Sequence, residues 1–178
     1  MLRTVLFLDA LTRHTGRAVR WLAVLMLAGT LTVVVLRYAF GLPAIMVQES
    51  VLYAHAALFM LGAAYTWQQG GHVRVDVFSR NWPQSRRLWA ERLGILLLLI
   101  PFALFLLWSG WSYVGNSWAI AEGSPDAGGL PFVYLLKTLL LLLPLLLLLQ
   151  AVAELGKTWL PQAQDRNDQH ADEETHYG

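Results

Sequence analysis

The chain has 178 residues, 56% of them hydrophobic and 14% charged, with a mean hydropathy of +0.47. Soluble domains carry about 25% charged residues, and 13 Lys and Arg against 12 Asp and Glu leave a net charge of +1, no field for holding nucleic acid. The absence of cysteine removes disulfides, thiolate metal sites and cysteine nucleophiles, so the composition argues against a soluble enzyme, a DNA-binding module or a secreted disulfide scaffold and leaves an integral membrane protein with short loops.

Residues 2–11 set Leu2, Val5, Leu6 and Leu8 among polar Arg3, Thr4 and Asp9. Too short to span, this stretch is expected along a membrane surface as an amphipathic turn or helix. A bilayer core of about 30 Å needs about 20 mostly apolar residues in a helix, and four stretches meet that length. The first covers about residues 18–40, with an uncharged block between Arg20 and Arg37. Those arginines stand about 26 Å apart along a helix, so each can snorkel to its own interface. The block starts late and lacks an Ala-x-Ala-like cleavage site, so a retained span is expected in place of a signal peptide.

The second span covers about residues 46–68, with Glu49 near its start and His55 about ten residues in. After it, His72-Val73-Arg74-Val75-Asp76-Val77 alternates polar and apolar residues, the period of an extended strand. Pro83 suits a first helical position, and Arg86, Arg87, Leu88, Trp89, Arg92 and Leu93 suit an interfacial helix running into the third span. That span, residues 93–118, carries no Asp, Glu, Lys or Arg and contains Pro101. The fourth, about residues 130–153, carries Lys137 and then a leucine run with Pro144 inside it. Membrane helices tolerate such prolines as kinks. The expected organisation is one four-helix membrane domain over residues 1–160, followed by a polar, disordered cytoplasmic tail over 161–178.

Eleven of the thirteen basic residues precede the first span, lie between the second and third, or follow the fourth. The opposite loop, residues 119–129, holds Glu122 and Asp126 and no Lys or Arg. The positive-inside rule then places both termini in the cytoplasm. Trp108, Trp111, Tyr113 and Trp118 crowd one end of the third span, and Trp67, Trp82 and Trp89 lie near the other surface, as amphipathic rings do at headgroup level. The fold class is all-α: four transmembrane helices plus short interfacial amphipathic segments.

Chemistry-bearing residues are few. Arg37 closes the first span and Glu49 opens the second; each suits its helix dipole, and the two are expected to pair across the hairpin. A coupling-ion or proton site is the other reading of Glu49, because intramembrane carboxylates often serve transport. Lys137 sits near a helix N-terminus, where the dipole opposes it. It can snorkel outward, pair with Glu122 or Asp126, or meet a carboxylate of another chain. His55 lacks a second histidine at its depth for haem ligation, and the five histidines show no metal-ligand spacing. A hydrogen-bonded core or interface histidine is expected. Paired carboxylates, a Ser/His/Asp arrangement and a phosphate loop are all absent from the sequence. No enzyme activity, cofactor or metal is expected, and the spans hold too few polar groups to line an aqueous path.

The order Arg37-Tyr38-Ala39-Phe40, Gln48-Glu49, Leu61-Gly62-Ala63-Ala64-Tyr65 and Gly71-His72-Val73-Arg74-Val75-Asp76 resembles the small permease subunit of TRAP transporters, the tripartite ATP-independent periplasmic transporters. The run from Glu122 to Pro131, followed by Lys137, resembles the mannitol/chloroaromatic branch. One departure concerns Val47-Gln48-Glu49, where many members carry an aromatic residue and two glutamates; Glu49 alone can inherit that carboxylate's role. The resemblance implies a bacterial inner-membrane complex importing an organic acid or related solute on a sodium gradient. In it a periplasmic substrate-binding protein captures the solute, a large elevator-type permease subunit moves it, and the small subunit braces the large one among membrane lipids. Arg37, Glu49, His55, His72, Arg74, Asp76 and Lys137 are then expected as architectural or interface contacts. The alternative reading is a stand-alone oligomeric four-span channel or small exporter.

Overall fold

Hydrocarbon offers no hydrogen bonds, so an apolar chain within it closes its backbone as helix. The computed structural model describes residues 2–72 and 82–159, and those residues form helices and no strands. The stretch 73–81, which contains the alternating pattern with Arg74 and Asp76, lies outside the described residues, as does the acidic tail from 160 onward.

The helices are α1 (Leu2–Val19), α2 (Leu22–Phe40), α3 (Ile45–Gln68), α4 (Gln84–Gly94), α5 (Ile100–Ala119) and α6 (Val133–Trp159). Among the described residues four helical stretches are long and apolar enough to cross a membrane: Arg3–Phe40, Ile45–Gln68, Ser85–Ala119 and Val133–Lys157. Helix α2 stops at Gly41, whose φ of 64° is the left-handed cap conformation, and the Leu42 N–H closes onto the Leu36 carbonyl at 3.0 Å. Pro43 then keeps the turn to α3 short.

One element differs from the sequence expectation. The N-terminal segment, expected as a short amphipathic turn or helix, is a helix of 18 residues that docks against α3 and α6. Its buried positions are Val5, Asp9, Thr12, Gly16 and Val19, one face at helical spacing, while Phe7 and Leu11 point outward. A polar residue inside and apolar residues outside is the reverse of a water-facing amphipathic helix. The helix expected before the third span does run into it: α4 and α5 are fused through a π-helical turn, Ile95–Leu99. Pro101 has no N–H and its ring crowds the carbonyl four residues back, and a wider turn relieves both. The fused rod of 35 residues would run about 52 Å, well beyond a core of about 30 Å, so its Arg-bearing start extends past the hydrocarbon.

Helices α2 and α3 form one antiparallel hairpin and α5 and α6 a second; α3 against α6 joins them, and α1 closes over both. The buried hydrophobic side chains are small, Ala64, Ala103, Ala151, Ala153 and Val114 among them. The large ones point out, with Leu27 73%, Leu98 72% and Trp108 78% exposed. Helices in lipid gain little from burying leucine, because lipid tails are equally apolar, so small residues that permit close approach form the contacts. Glycine takes this furthest. A Cβ at Gly16 would overlap the Tyr65 ring, and one at Gly156 would come within 2.5 Å of Val5. Gly16→Leu is therefore expected to push α1 off α3 and lower stability by about 1–3 kcal/mol. Gly115→Leu, where a Cβ meets open space, leaves it unchanged. Thermal unfolding of the two variants in mild detergent checks the contrast.

Candidate functional site

Polar side chains gather at the two ends of the helices. One end carries the loops between α2 and α3 and between α5 and α6; the other carries α1 and the C-terminal turns of α3 and α6.

At the loop end, Glu49 sits one turn into α3 and faces the glycine-rich loop 123–130. One of its oxygens accepts the Ser124 hydroxyl, and the other accepts the Leu130 N–H at 2.5 Å. The loop holds its own shape around the carboxylate. Ser124 N–H donates to the Leu130 carbonyl at 2.9 Å, Gly129 N–H to the Asp126 carbonyl at 3.0 Å, and Asp126 N–H to Ser124 Oγ at 3.1 Å. A Cβ at Gly129 would overlap Ser124 and come within 2.7 Å of Glu49. The expected Arg37–Glu49 pair is not formed. Arg37 donates instead to Gln48 Oε1 at 3.2 Å. Successive helix positions lie about 100° apart, so Gln48 turns to α2 while Glu49 turns to the loop.

Lys137 takes one of its expected partners, Glu122, at 2.5 Å, with the side chains 17% and 31% exposed. Its ammonium also lies 4.2 Å from the Tyr113 ring centroid. Together these contacts answer the opposing dipole at the start of α6. Beside them the Trp118 indole N–H donates to Thr138 Oγ1 at 2.9 Å and meets Tyr134 edge-on at 4.8 Å. The result is a polar lock between the α5–α6 loop and α6.

The Lys137 ammonium bonded to Glu122 holds that carboxyl below its usual range. A carboxylate whose pKa is lower in the folded than in the unfolded state adds stability above the unfolded value and loses it as pH falls through the folded one. The stability difference between wild type and Glu122→Gln is therefore expected in full at pH 7 and to vanish as pH drops below about 4. Unfolding midpoints of both proteins across that range test it.

The opposite end holds a cluster that sequence reasoning did not anticipate. Asp9 of α1 is 3% exposed. Its carboxylate meets Lys157 Nζ at 2.9 Å and accepts Gln68 Nε2 at 3.0 Å and Gln150 Nε2 at 3.3 Å. Gln68 Nε2 also donates to the Asp9 carbonyl at 2.9 Å. Glu154 completes the set, 3.1 Å from Lys157 and accepting Gln150 Nε2 at 2.8 Å. Three helices distant in sequence thus converge on one buried carboxylate. The available signal was an aspartate on the face shared by Thr12 and Gly16, pointing to an inward polar partner without saying which.

The remaining candidates are scattered. His55 is exposed on α3, and His72 donates to the Ala63 carbonyl at 3.3 Å. Among the described residues no group of three His, Cys, Asp or Glu side chains is placed to hold a metal ion. Asp9, Arg37, Glu49, Lys137 and Lys157 are thus engaged in contacts that fasten one element to another, and apart from His55 the span middles present mainly apolar side chains.

A family model described as tripartite ATP-independent periplasmic transporters, DctQ component, matches residues 26–160, from within α2 past the end of α6, leaving α1 outside. No curated protein and no solved structure matches the chain. Four apolar helices long enough to cross a bilayer and a family match over most of the sequence lead to one assignment: this membrane protein belongs to the DctQ family and is the small subunit of a tripartite ATP-independent periplasmic transporter.

Proposed function

We propose that the chain is a scaffold: it braces a large elevator-type permease subunit that imports an organic acid or related solute with sodium, after capture by a periplasmic binding protein. The observation that carries this reading is the disposition of polar groups. Glu49, Lys137, Asp9 and Lys157 are engaged within the chain at the two ends, while the span middles, His55 apart, expose mainly Leu, Val and Phe. A solute path needs polar lining through the bilayer, whereas a brace needs apolar faces and fixed depth. The charge distribution supports an inner-membrane location with both termini cytoplasmic, and the run from Glu122 to Pro131 supports the mannitol/chloroaromatic branch.

Proteoliposomes test the reading. Uptake driven by a sodium gradient is expected with the large subunit, the binding protein and this chain together. It falls to background when this chain is omitted, and this chain alone moves nothing. Transport by the chain alone would establish the stand-alone channel or exporter instead. A changed sodium stoichiometry in Glu49→Gln with normal assembly would move Glu49 from architecture to ion coupling.

A further inference from the structure

Between α2 and α3 an open groove of about 520 Å³ is lined by Met26, Ile45, Val51, Leu52 and His55, with Glu49 and Asp126 at its mouth. His55 stands ten residues into α3, about 15 Å along the axis and so near the middle of a hydrocarbon core of about 30 Å. It is exposed and makes no hydrogen bond among the described residues. An imidazole at that depth, facing acyl chains, loses its water partners and gains none, a cost that polar groups in membranes meet by pairing. A lipid tail has no hydrogen-bonding atom, so lipid in the groove leaves His55 unsatisfied. A polypeptide helix can bring a carboxylate, amide, hydroxyl or carbonyl to it. At the mouth, Arg37, held on Gln48, offsets one of the two carboxylates and leaves the entrance net acidic. A second copy of this face would set like charges against each other. A helix with a basic side chain at its outer end complements them.

We propose that this groove seats a transmembrane helix of the large subunit, which presents a hydrogen-bonding side chain to His55 at mid-depth and a basic side chain to Asp126 at the mouth. The proposal rests on the scaffold reading and adds to it the face that docks. The natural absence of cysteine gives clean single-site labelling. Leu52→Cys, 55% exposed in the groove, and Leu104→Cys, 52% exposed on α5, are each labelled with a thiol-reactive benzophenone in membranes co-expressing the large subunit, then irradiated.

The expected result is a covalent adduct with the large subunit from position 52 and at most background from position 104. His55→Leu is expected to lower the yield of co-purified complex about tenfold, and His55→Gln, which keeps a hydrogen-bonding group, to restore most of it. An adduct from position 104 and none from 52 would overturn the docking face while leaving the scaffold reading intact. So would an adduct of twice the chain's own mass, or label recovered on lipid alone, from position 52. Absence of any complex with the large subunit would overturn both.

Discussion

Lys157→Met is expected to lower the unfolding free energy in mild detergent by about 3–5 kcal/mol, the usual cost of removing one partner from a buried ion pair. Lys157 is the cation of a buried set in which it lies 2.9 Å from Asp9 and 3.1 Å from Glu154. Its removal leaves two carboxylates bridged by the Gln150 amide without the ammonium they share, and Asp9 is only 3% exposed. Asp9→Asn is expected to cost less, about 1–3 kcal/mol, because Lys157 keeps Glu154 while the new amide sets a donor against the Gln68 and Gln150 donors. The double variant Asp9→Leu with Lys157→Met should recover much of the loss, since Glu154 is 26% exposed and can turn to solvent. A double-mutant cycle with the singles Asp9→Leu and Lys157→Met, from denaturant titrations, gives the coupling. Singles that simply add would show that the pair contributes nothing beyond its parts. Because this carboxylate bonds α1 to both α3 and α6, limited proteolysis of Lys157→Met should cut within α1 before the other helices.

The fold was legible where the bilayer alone dictates it. Apolar blocks of about twenty residues have no alternative to helix in hydrocarbon, so the spans follow from composition without knowledge of their neighbours. What composition does not carry is how a backbone accommodates a local defect. Pro101 announces a disturbed helix, but whether it kinks or widens into the turn at Ile95–Leu99 depends on packing around it. The site divides in the same way. Lys137 and Glu49 stand out as charges in apolar stretches, and the Lys137 partner Glu122 follows from a loop whose acidic side chains are few. The Glu49 partners do not follow, because a serine hydroxyl and a backbone N–H carry no sequence signature, and Ser124 lies 75 positions away. Asp9 was hidden for a further reason. In a segment that already reads as surface, an aspartate raises no question, and Gln150, one of its partners, lies 141 positions on.

Glu49→Ala is expected to unfasten the loop at 123–130 while leaving the helices in place. The carboxylate accepts both Ser124 Oγ and the Leu130 N–H, and charge-assisted bonds of this kind are about twice as strong as neutral ones. Without them the Leu130 amide faces a void, and the Ser124–Leu130 backbone bond at 2.9 Å loses the group around which it closes. Hydrogen exchange at the Ser124 and Leu130 amides should quicken by about tenfold or more, with exchange in α5 and α6 unchanged. Glu49→Gln separates charge from shape. The amide oxygen can still accept the Leu130 N–H, and the amide nitrogen can donate to Ser124 Oγ, because a hydroxyl serves as donor or acceptor. A clasp weakened but retained is therefore expected, with exchange between wild type and Glu49→Ala. Gly129→Ala should match Glu49→Ala, since the added methyl overlaps Ser124 and crowds the same carboxylate. If Glu49→Gln releases the loop as fully as Glu49→Ala does, the negative charge itself holds it, which two hydrogen bonds do not require and a bound cation would.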